Sequence, residues 1–597
     1  MWLSLLLLAI AAASPVVVQQ SPQQQVLGGI EIKSPSSSKL HGRFLHITDI
    51  HLDPFYEPGS SPRKSCHRGK GKAGYLGAPG EGCDSPEILL NQTFDWIERN
   101  LKDKIDFIVW TGDSARHDND ERIPRTETQI EELNQAVVDK FMEVFGEKKD
   151  GGRNKPTIPI VPNIGNNDVM PHNIFEKGPN KCTRKLGRVW KPFIPEEQRH
   201  TFLQWGWFYT EVIPSKLAVV SLNTMYFYES NAAVDGCAAR SEPGYHHFEW
   251  LRVQLQLMRE REMKAILIGH VPPARSGKRQ NWDESCWQKY TLWLHQYRDV
   301  VVGSMYGHMN LDHFIIQDSR EATLDAAADN LPSFSSDDEH DQNITTQSKF
   351  GYLSSLREEW ARLPSPPSGV ELGSDLEALK GRKKRKKKNK RKRFLKKIGG
   401  PYAERYSVSL VSPSVIPRYY PTIRVFEYNI TGLEHAVTWA DSGSHVSMDS
   451  ERAQRETELN KKKLPRIPSP PSKSAPPGPA YSNQPLTLLN YIQYYANLTQ
   501  IENRSKLDGE LSALEYEVEY HTHQDDIYHM RDLTMPSFFD LATRIAGNSP
   551  AASSVDIEKK RKKKKKKGSK KDNKVWRAFL NRAFVGFLDD YELDGVE

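Results

Sequence analysis

Cysteine is scarce in this chain: five residues in 597, at Cys66, Cys83, Cys182, Cys237 and Cys286, all in the first half. None has the close, repeated spacing of a zinc knuckle. Hydrophobic residues are few, 37% of the chain, against roughly 45–50% in a fully packed globular protein. Part of the chain therefore stays out of any core. No internal repeat suggests a solenoid. The net charge of +7 excludes little, because the lysines are clustered and their positions matter more than their sum.

What is present begins at the N-terminus. Residues 2–13 read WLSLLLLAIAAA, too short for a membrane span of about 20 residues. The run fits the core of a signal peptide, with Ala11-Ala12-Ala13 as a small-residue cleavage site. The usual basic residue before the core is missing, and an extension through Val16–Val18 would make residues 1–18 an uncleaved signal anchor instead. Five N-x-S/T sequons, at Asn91, Asn343, Asn429, Asn497 and Asn503, agree with a lumenal chain and are candidate glycosylation sites. An oxidising compartment lets cysteines pair. The expected pairs are Cys66 with Cys83, closing a short Gly-rich loop, and Cys182 with Cys237, with one cysteine left over.

Residues 19–40, rich in Gln, Ser and Pro, read as a linker. Residues 41–318 read as an α/β body, in which apolar runs alternate with helix-like stretches at 86–101 and 244–262. Residues 319–404 carry an acidic Ser/Asp stretch, a Pro/Ser stretch and RKKRKKKNKRKR at 382–393. Such a composition buries too little apolar surface to offset its ordering entropy and predicts disorder. Order returns over 405–440, where YSVSLVSPSVIPRYYPTIRVFEYN reads as two strands around a Pro-rich turn. Residues 441–480 read as a second linker. Residues 481–547 form a helical extension, with helices over 484–500 and 511–546. Residues 548–574 hold a disordered polybasic segment, KKRKKKKKKGSKK at 559–571, and 575–597 a C-terminal helix or tail.

Five apolar runs end alike. FLHIT leads to Asp49 and His51, IDFIVWT to Gly112-Asp113, IPIVPNI to Gly165-Asn166, KAILI to Gly269-His270, and VVVGSMY to Gly307-His308. Each run is a buried-strand candidate ending in a metal-capable side chain. The carboxyl ends of neighbouring strands in an α/β sheet share one edge, where ligands bind. Asp49 and His51, two apart in an extended chain, would point the same way. Any one of these residues alone reads more simply as a core histidine or a helix-capping aspartate; five strand ends together point to a metal site. Imidazole with carboxylate suits Zn, Mn, Fe or Co better than Ca. Two cations about 3.5–4 Å apart can clamp a phosphoryl group and activate water for in-line attack.

The order D-x-H … GD-x-x-x-HD … GN … GH … GH resembles the calcineurin-like metallophosphoesterases. The strings HITDIHLDPFY, TGDSARHDND, GNND, GHVPP and YGHMNLDHF, with PSVIPRYYPTIRVFEYN later, resemble the fungal endopolyphosphatases, relatives of acid sphingomyelinase. The resemblance covers roughly 42–318 and 405–430. It implies a β-sandwich flanked by helices and two divalent ions (Zn, Mn, Co, Fe or Mg). By that likeness Asp49, His51 and Asp113 hold the first ion, Asp113 bridges, and Asn166, His270 and His308 complete the second. His117 would contact phosphate or protonate the leaving oxygen. Asn167 stands where the wider superfamily has His and would face substrate. Asn310 replaces the last His of GH-x-H and can offer only a weaker carbonyl oxygen.

The activity so implied is hydrolysis of phosphoanhydride bonds within inorganic polyphosphate, in the vacuole lumen, reached as a soluble protein or through a type II membrane anchor. Flexible lysine arms could concentrate such a polyanion, or be plain solvated linkers; behind a leader, no nucleic-acid partner is expected. Two other functions remain open: a sphingomyelinase-like phosphodiesterase, although no six-cysteine saposin-like segment precedes the body, and a non-catalytic polyanion binder with a degenerate site.

Overall fold

The motif runs become strands because both of their faces are covered. Arg43–Ile47 is buried from its second residue onward, and Phe107–Trp110 and Ile160–Pro162 throughout, as expected of parallel strands roofed by helices. The computed structural model describes residues 39–148, 154–276, 279–322, 346–367, 370, 372–373, 385–439, 467–509, 511–547 and 573–594. The leader, most of the first linker, Asn343 and the second basic run fall outside them. Among the described residues no helix is long and apolar enough to cross a membrane.

In chain order the strands are β1 (Arg43–Ile47), β2 (Leu52–Asp53), β3 (Ser85–Pro86), β4 (Phe107–Trp110), β5 (Gly146–Lys148), β6 (Asn154–Pro156), β7 (Ile160–Pro162), β8 (Phe208–Ile213) and β9 (Leu217–Ser221). There follow β10 (Lys264–Ile268), β11 (Arg275–Ser276), β12 (Arg279–Gln280), β13 (Val301–Tyr306), β14 (His313–Asp318), β15 (Tyr406–Val411), β16 (Thr422–Tyr428), β17 (Leu488–Tyr495) and β18 (Glu517–His521). Two six-stranded sheets result, ordered β18-β17-β16-β1-β4-β7 and β14-β15-β13-β10-β9-β8. One continuous core runs through both. His46 links them, with Nε2 2.8 Å from Thr111 Oγ1 and Nδ1 3.0 Å from Ser412 Oγ. Helices at Glu87–Leu101, Glu127–Phe145 and Pro243–Glu260 pack on this frame.

The five motif strands thus divide, β1, β4 and β7 in one sheet and β10 and β13 in the other, rather than sharing one sheet edge. Within each sheet they run parallel, so both sets send their carboxyl ends to the same rim.

Four further expectations change. Residues 488–495 form a strand between β16 and β18, not part of a helix; helices of the extension begin at Leu498 and Met535. The segment 319–404 contains two helices, Thr346–Ala361 and Arg385–Ile398. The first docks through Leu353, Leu356 and Trp360, whose ring stacks 4.5 Å from Phe314. The second linker joins the core at its end, where Gly478 and Pro479 are buried and the Pro479 carbonyl accepts from Thr487 Oγ1 at 3.0 Å. Finally, Cys66 pairs with Cys83 as expected, but Cys237 pairs with Cys286, leaving Cys182 as the free thiol. Asp283, which caps the helix beginning at Glu284, sets Cys286 beside Cys237, whose N–H donates to Ser285 Oγ at 2.8 Å.

Candidate metal centre

The strand ends stop in an unusual backbone. Asp49 (φ 51°), His51 (φ 47°), Asp113 (φ 56°), His308 (φ 69°) and Asn310 (φ 52°) are all left-handed, a region uncommon for non-glycine residues and concentrated at functional sites. Asp49 and His51 therefore do not converge by extended-chain alternation; two left-handed residues turn them inward. The glycines before the motif residues clear space. A Cβ on Gly165 would collide with Asp113 Oδ1, and one on Gly307 with Asp49 Oδ2.

Six predicted residues meet. The ligand atoms of Asp49, His51 and Asp113 lie within 4.8 Å of one another, as do those of Asp113, His270 and His308, so Asp113 belongs to both groups. Asn166 Oδ1 sits 2.8 Å from His270 Nε2 and 2.9 Å from His308 Nδ1. The two buried histidines at the heart of the cluster are turned by backbone carbonyls: His51 Nδ1 lies 3.0 Å from Ala115 O and His270 Nδ1 2.7 Å from Thr111 O. Each carbonyl can only accept, so each Nδ1 carries hydrogen and each Nε2 faces the cluster. His51 Nε2 is buried without a hydrogen-bond partner, 3.7 Å from Asp49 Oδ1 and 3.4 Å from Asp113 Oδ2. A buried ring nitrogen left unsatisfied between two carboxylates fits a divalent cation. Burial pushes the Asp113 carboxyl up, but the His270 and His51 imidazoles more than offset it and hold it well below the usual range.

The other three predicted residues divide. His117 stacks on His51, ring centroids 4.0 Å apart, and opens to the cavity. Asn167 turns towards Asp113, its backbone N–H and Nδ2 each donating to that carboxylate at 2.8 Å. It also borders the cavity, but it holds the bridging candidate more directly than it presents itself to substrate. Asn310 lines the cavity with a buried, unpartnered Oδ1. Of the described sequons, Asn503 is exposed, Asn91, Asn429 and Asn497 are half-buried, and Asn497 caps its own helix.

Two carboxylates escaped the sequence reading. Asp84 binds His117, and Asp168 gathers the N–H groups of Asp113, Ser114, Ala115 and Gly165 with the Asn134 side chain. Asp168 ends the string GNND and carried a clue; Asp84, in CDSPE, carried none. The cluster floors a cavity of about 520 Å³, whose walls also hold His172, Arg279, Lys349 and Arg418.

Residues 42–309 match the calcineurin-like phosphoesterase family. The chain is 45% identical to the Neurospora crassa endopolyphosphatase, over 87% of this chain and 80% of that one. It is 37% identical to the Saccharomyces cerevisiae endopolyphosphatase, over 87% and 85%. To the Schizosaccharomyces pombe endopolyphosphatase it is 35% identical, over 94% of each chain.

Proposed function

As this chain belongs to the endopolyphosphatase family of calcineurin-like phosphoesterases, we infer that its cavity hydrolyses phosphoanhydride bonds within inorganic polyphosphate, with two divalent metal ions as cofactor. The observation that carries this reading is the pair of ligand groups sharing Asp113 at the floor of a cavity with cationic walls. Asp49, His51 and Asp113 would hold one ion, and Asp113, Asn166, His270 and His308 the other. Asn310 offers a carbonyl oxygen at the margin. When bound, the ions neutralise phosphate charge and lower the pKa of the attacking water.

The chain's own groups do the rest. Thr48 Oγ1 donates to Asp49 Oδ2 at 2.6 Å, and the His308 N–H donates to the same oxygen at 2.9 Å, fixing that carboxylate. Asn167 orients Asp113. His117, held at Nδ1 by Asp84, turns Nε2 to the cavity, where in its protonated form it can hand a proton to the departing oxygen. Water oxygen bonds to phosphorus as the bond to the bridging oxygen breaks; the severed phosphate end takes the His117 proton, and the proton shed by the water passes to solvent and restores the ring.

Metal-reconstituted protein assayed on long-chain polyphosphate, sphingomyelin and a nucleotide diester tests this. Products of intermediate length on a sizing gel are expected from polyphosphate. Orthophosphate alone would deny internal cleavage, and turnover of a diester alone would deny the substrate.

The proposed location is the vacuole lumen, by secretion or through an N-terminal anchor. Two disulfides and an exposed Asn503 support an oxidising, glycosylating route. A glycosidase that leaves electrophoretic mobility unchanged would count against it.

A further inference from the structure

Three cationic side chains reach the metal-centre cavity from three distant parts of the chain. Arg279 comes from β12, Lys349 from the helix Thr346–Ala361, and Arg418 from the segment between β15 and β16. All are half-buried, and each is steadied by a neighbour. Arg279 Nε donates to Asn281 Oδ1 at 3.1 Å. The Lys349 ammonium lies 5.0 Å from the Tyr419 ring centroid, within cation–π range. Arg418 lies against the disulfide-closed loop, where a Cβ on Gly82 would stand 2.9 Å from its Nη1. The carboxylates that also line the cavity outside the metal cluster, Glu81 and Glu592, are both exposed, and Glu592 accepts the Asp589 N–H at 3.0 Å.

The cavity is larger than the hydrolytic step needs. Its volume of about 520 Å³ compares with roughly 30 Å³ for one water, leaving room beyond one phosphoryl group and its nucleophile. The ions would neutralise only the phosphate on the floor. The flanking phosphates of a chain, each with about one negative charge, need other cations. Arginine meets a phosphate through a planar fork and lysine through a point charge.

We propose that Arg279, Lys349 and Arg418 form a subsite for the phosphates flanking the bond that is cut, so that the wall selects for chain length. The proposal rests on the polyphosphatase reading above. A long chain engages all three cations. Pyrophosphate fills the floor and leaves some of them unmatched.

Steady-state kinetics on long-chain polyphosphate, tripolyphosphate and pyrophosphate test this, for Arg279→Gln, Lys349→Gln, Arg418→Gln and the triple variant. Each single change is expected to raise KM for the long chain about tenfold, the worth of one charge-assisted hydrogen bond. The KM rise should exceed any fall in kcat and shrink with substrate length. Arg279→Lys and Arg418→Lys, which keep the charge, are expected to recover most of the loss. Bound metal and melting temperature show whether each variant is folded and loaded. A triple variant with long-chain KM within twofold of the parent, or equal losses on pyrophosphate and long chains, overturns the subsite. Direct binding of fluorescent long-chain polyphosphate keeps the two readings apart. A parent that binds it without cutting it ends the hydrolase reading, while the Kd values of the variants still judge the subsite.

Discussion

Asp84 grips His117 twice: Oδ1 lies 2.6 Å from Nδ1, and Oδ2 accepts the His117 backbone N–H at 2.7 Å. Burial and the His51 imidazole push the His117 pKa down, and Asp84 opposes them. The carboxylate thus sets both the ring's orientation and its readiness to hold a proton. Asp84→Asn is expected to lower kcat on polyphosphate by about 10²-fold with bound metal unchanged, the usual worth of a general acid. His117→Ala should cost a similar factor, and the double variant little more, because the two act as one unit. Fully additive losses would show that Asp84 serves something else.

Asp113 is the one side chain common to both ligand groups. Asp113→Asn removes a charge that both ions would share and is expected to abolish turnover. The fold should survive, since the site lies at strand ends rather than in the core. Circular dichroism and a polyphosphate assay check the two halves of this statement; activity within tenfold of the parent would sink the bridging role.

Without metal, the carboxylates of the cluster favour protonated imidazoles. Burial alone disfavours a charged imidazole, but the Asp113 carboxylate more than offsets it and lifts the His270 pKa from 6.5 to about 9; His51 rises as well. The stabilising attraction is therefore fully present below about 6.5 and is lost as pH climbs through about 9. Metal ions need the neutral ring, so affinity should rise over the same interval, by about tenfold per pH unit for each proton displaced. Calorimetric titration with Zn or Mn in buffers of different ionisation enthalpy reads those protons directly. A pH-independent affinity would mean that His270 is not a ligand.

From Arg385 onward the first basic run belongs to a docked helix, Arg385–Ile398, rather than a loose arm. Phe394, Leu395 and Ile398 are buried, with the Phe394 ring 6.4 Å from that of Phe539, while Lys388, Lys390, Lys392 and Arg393 are exposed. If this face concentrates polyanion, replacing those four by Gln should raise KM for long polyphosphate severalfold at low salt and flatten its salt dependence. Triphosphate should respond much less. Equal effects on both lengths, or none, would reduce the face to a solvated surface.

The candidate ligand set was legible because its six members follow five strands, Asp49 and His51 sharing β1, so five local signals accumulate in one order. What stayed hidden was non-local. Nothing near Asp84 in sequence signals a partner 33 residues away. Leu488, Tyr491, Ile492 and Tyr495 repeat at a helical spacing, yet pairing with β16 and β18 on either side draws the segment into a sheet. Averaged over 319–404, the lysines and serines masked Leu353, Leu356 and Trp360, which dock a helix and bring Lys349 to the cavity. The pairing of Cys237 with Cys286, 49 residues apart, is fixed by a helix cap rather than by spacing.

The division of the candidate ligands between two sheets makes the candidate metal centre a seam. Asp49, His51, Asp113 and Asn166 sit on one side and His270 and His308 on the other, and the His308 N–H donates to Asp49 across 259 residues of chain. Ions in the seam would act as a clasp, and their affinity would report how well the two layers are aligned. Asn163 is placed to reveal this. It is not among the candidate ligands, and its Nδ2 donates to Ser221 Oγ at 2.9 Å and to the Leu222 carbonyl at 2.6 Å, both in the opposite layer. Asn163→Ala should loosen metal binding by about tenfold, at a stability cost on the order of 1–3 kcal/mol. Adding metal should restore much of the lost melting temperature. A variant that melts earlier yet binds metal as tightly as its parent would show that each layer holds its ligands independently of the other.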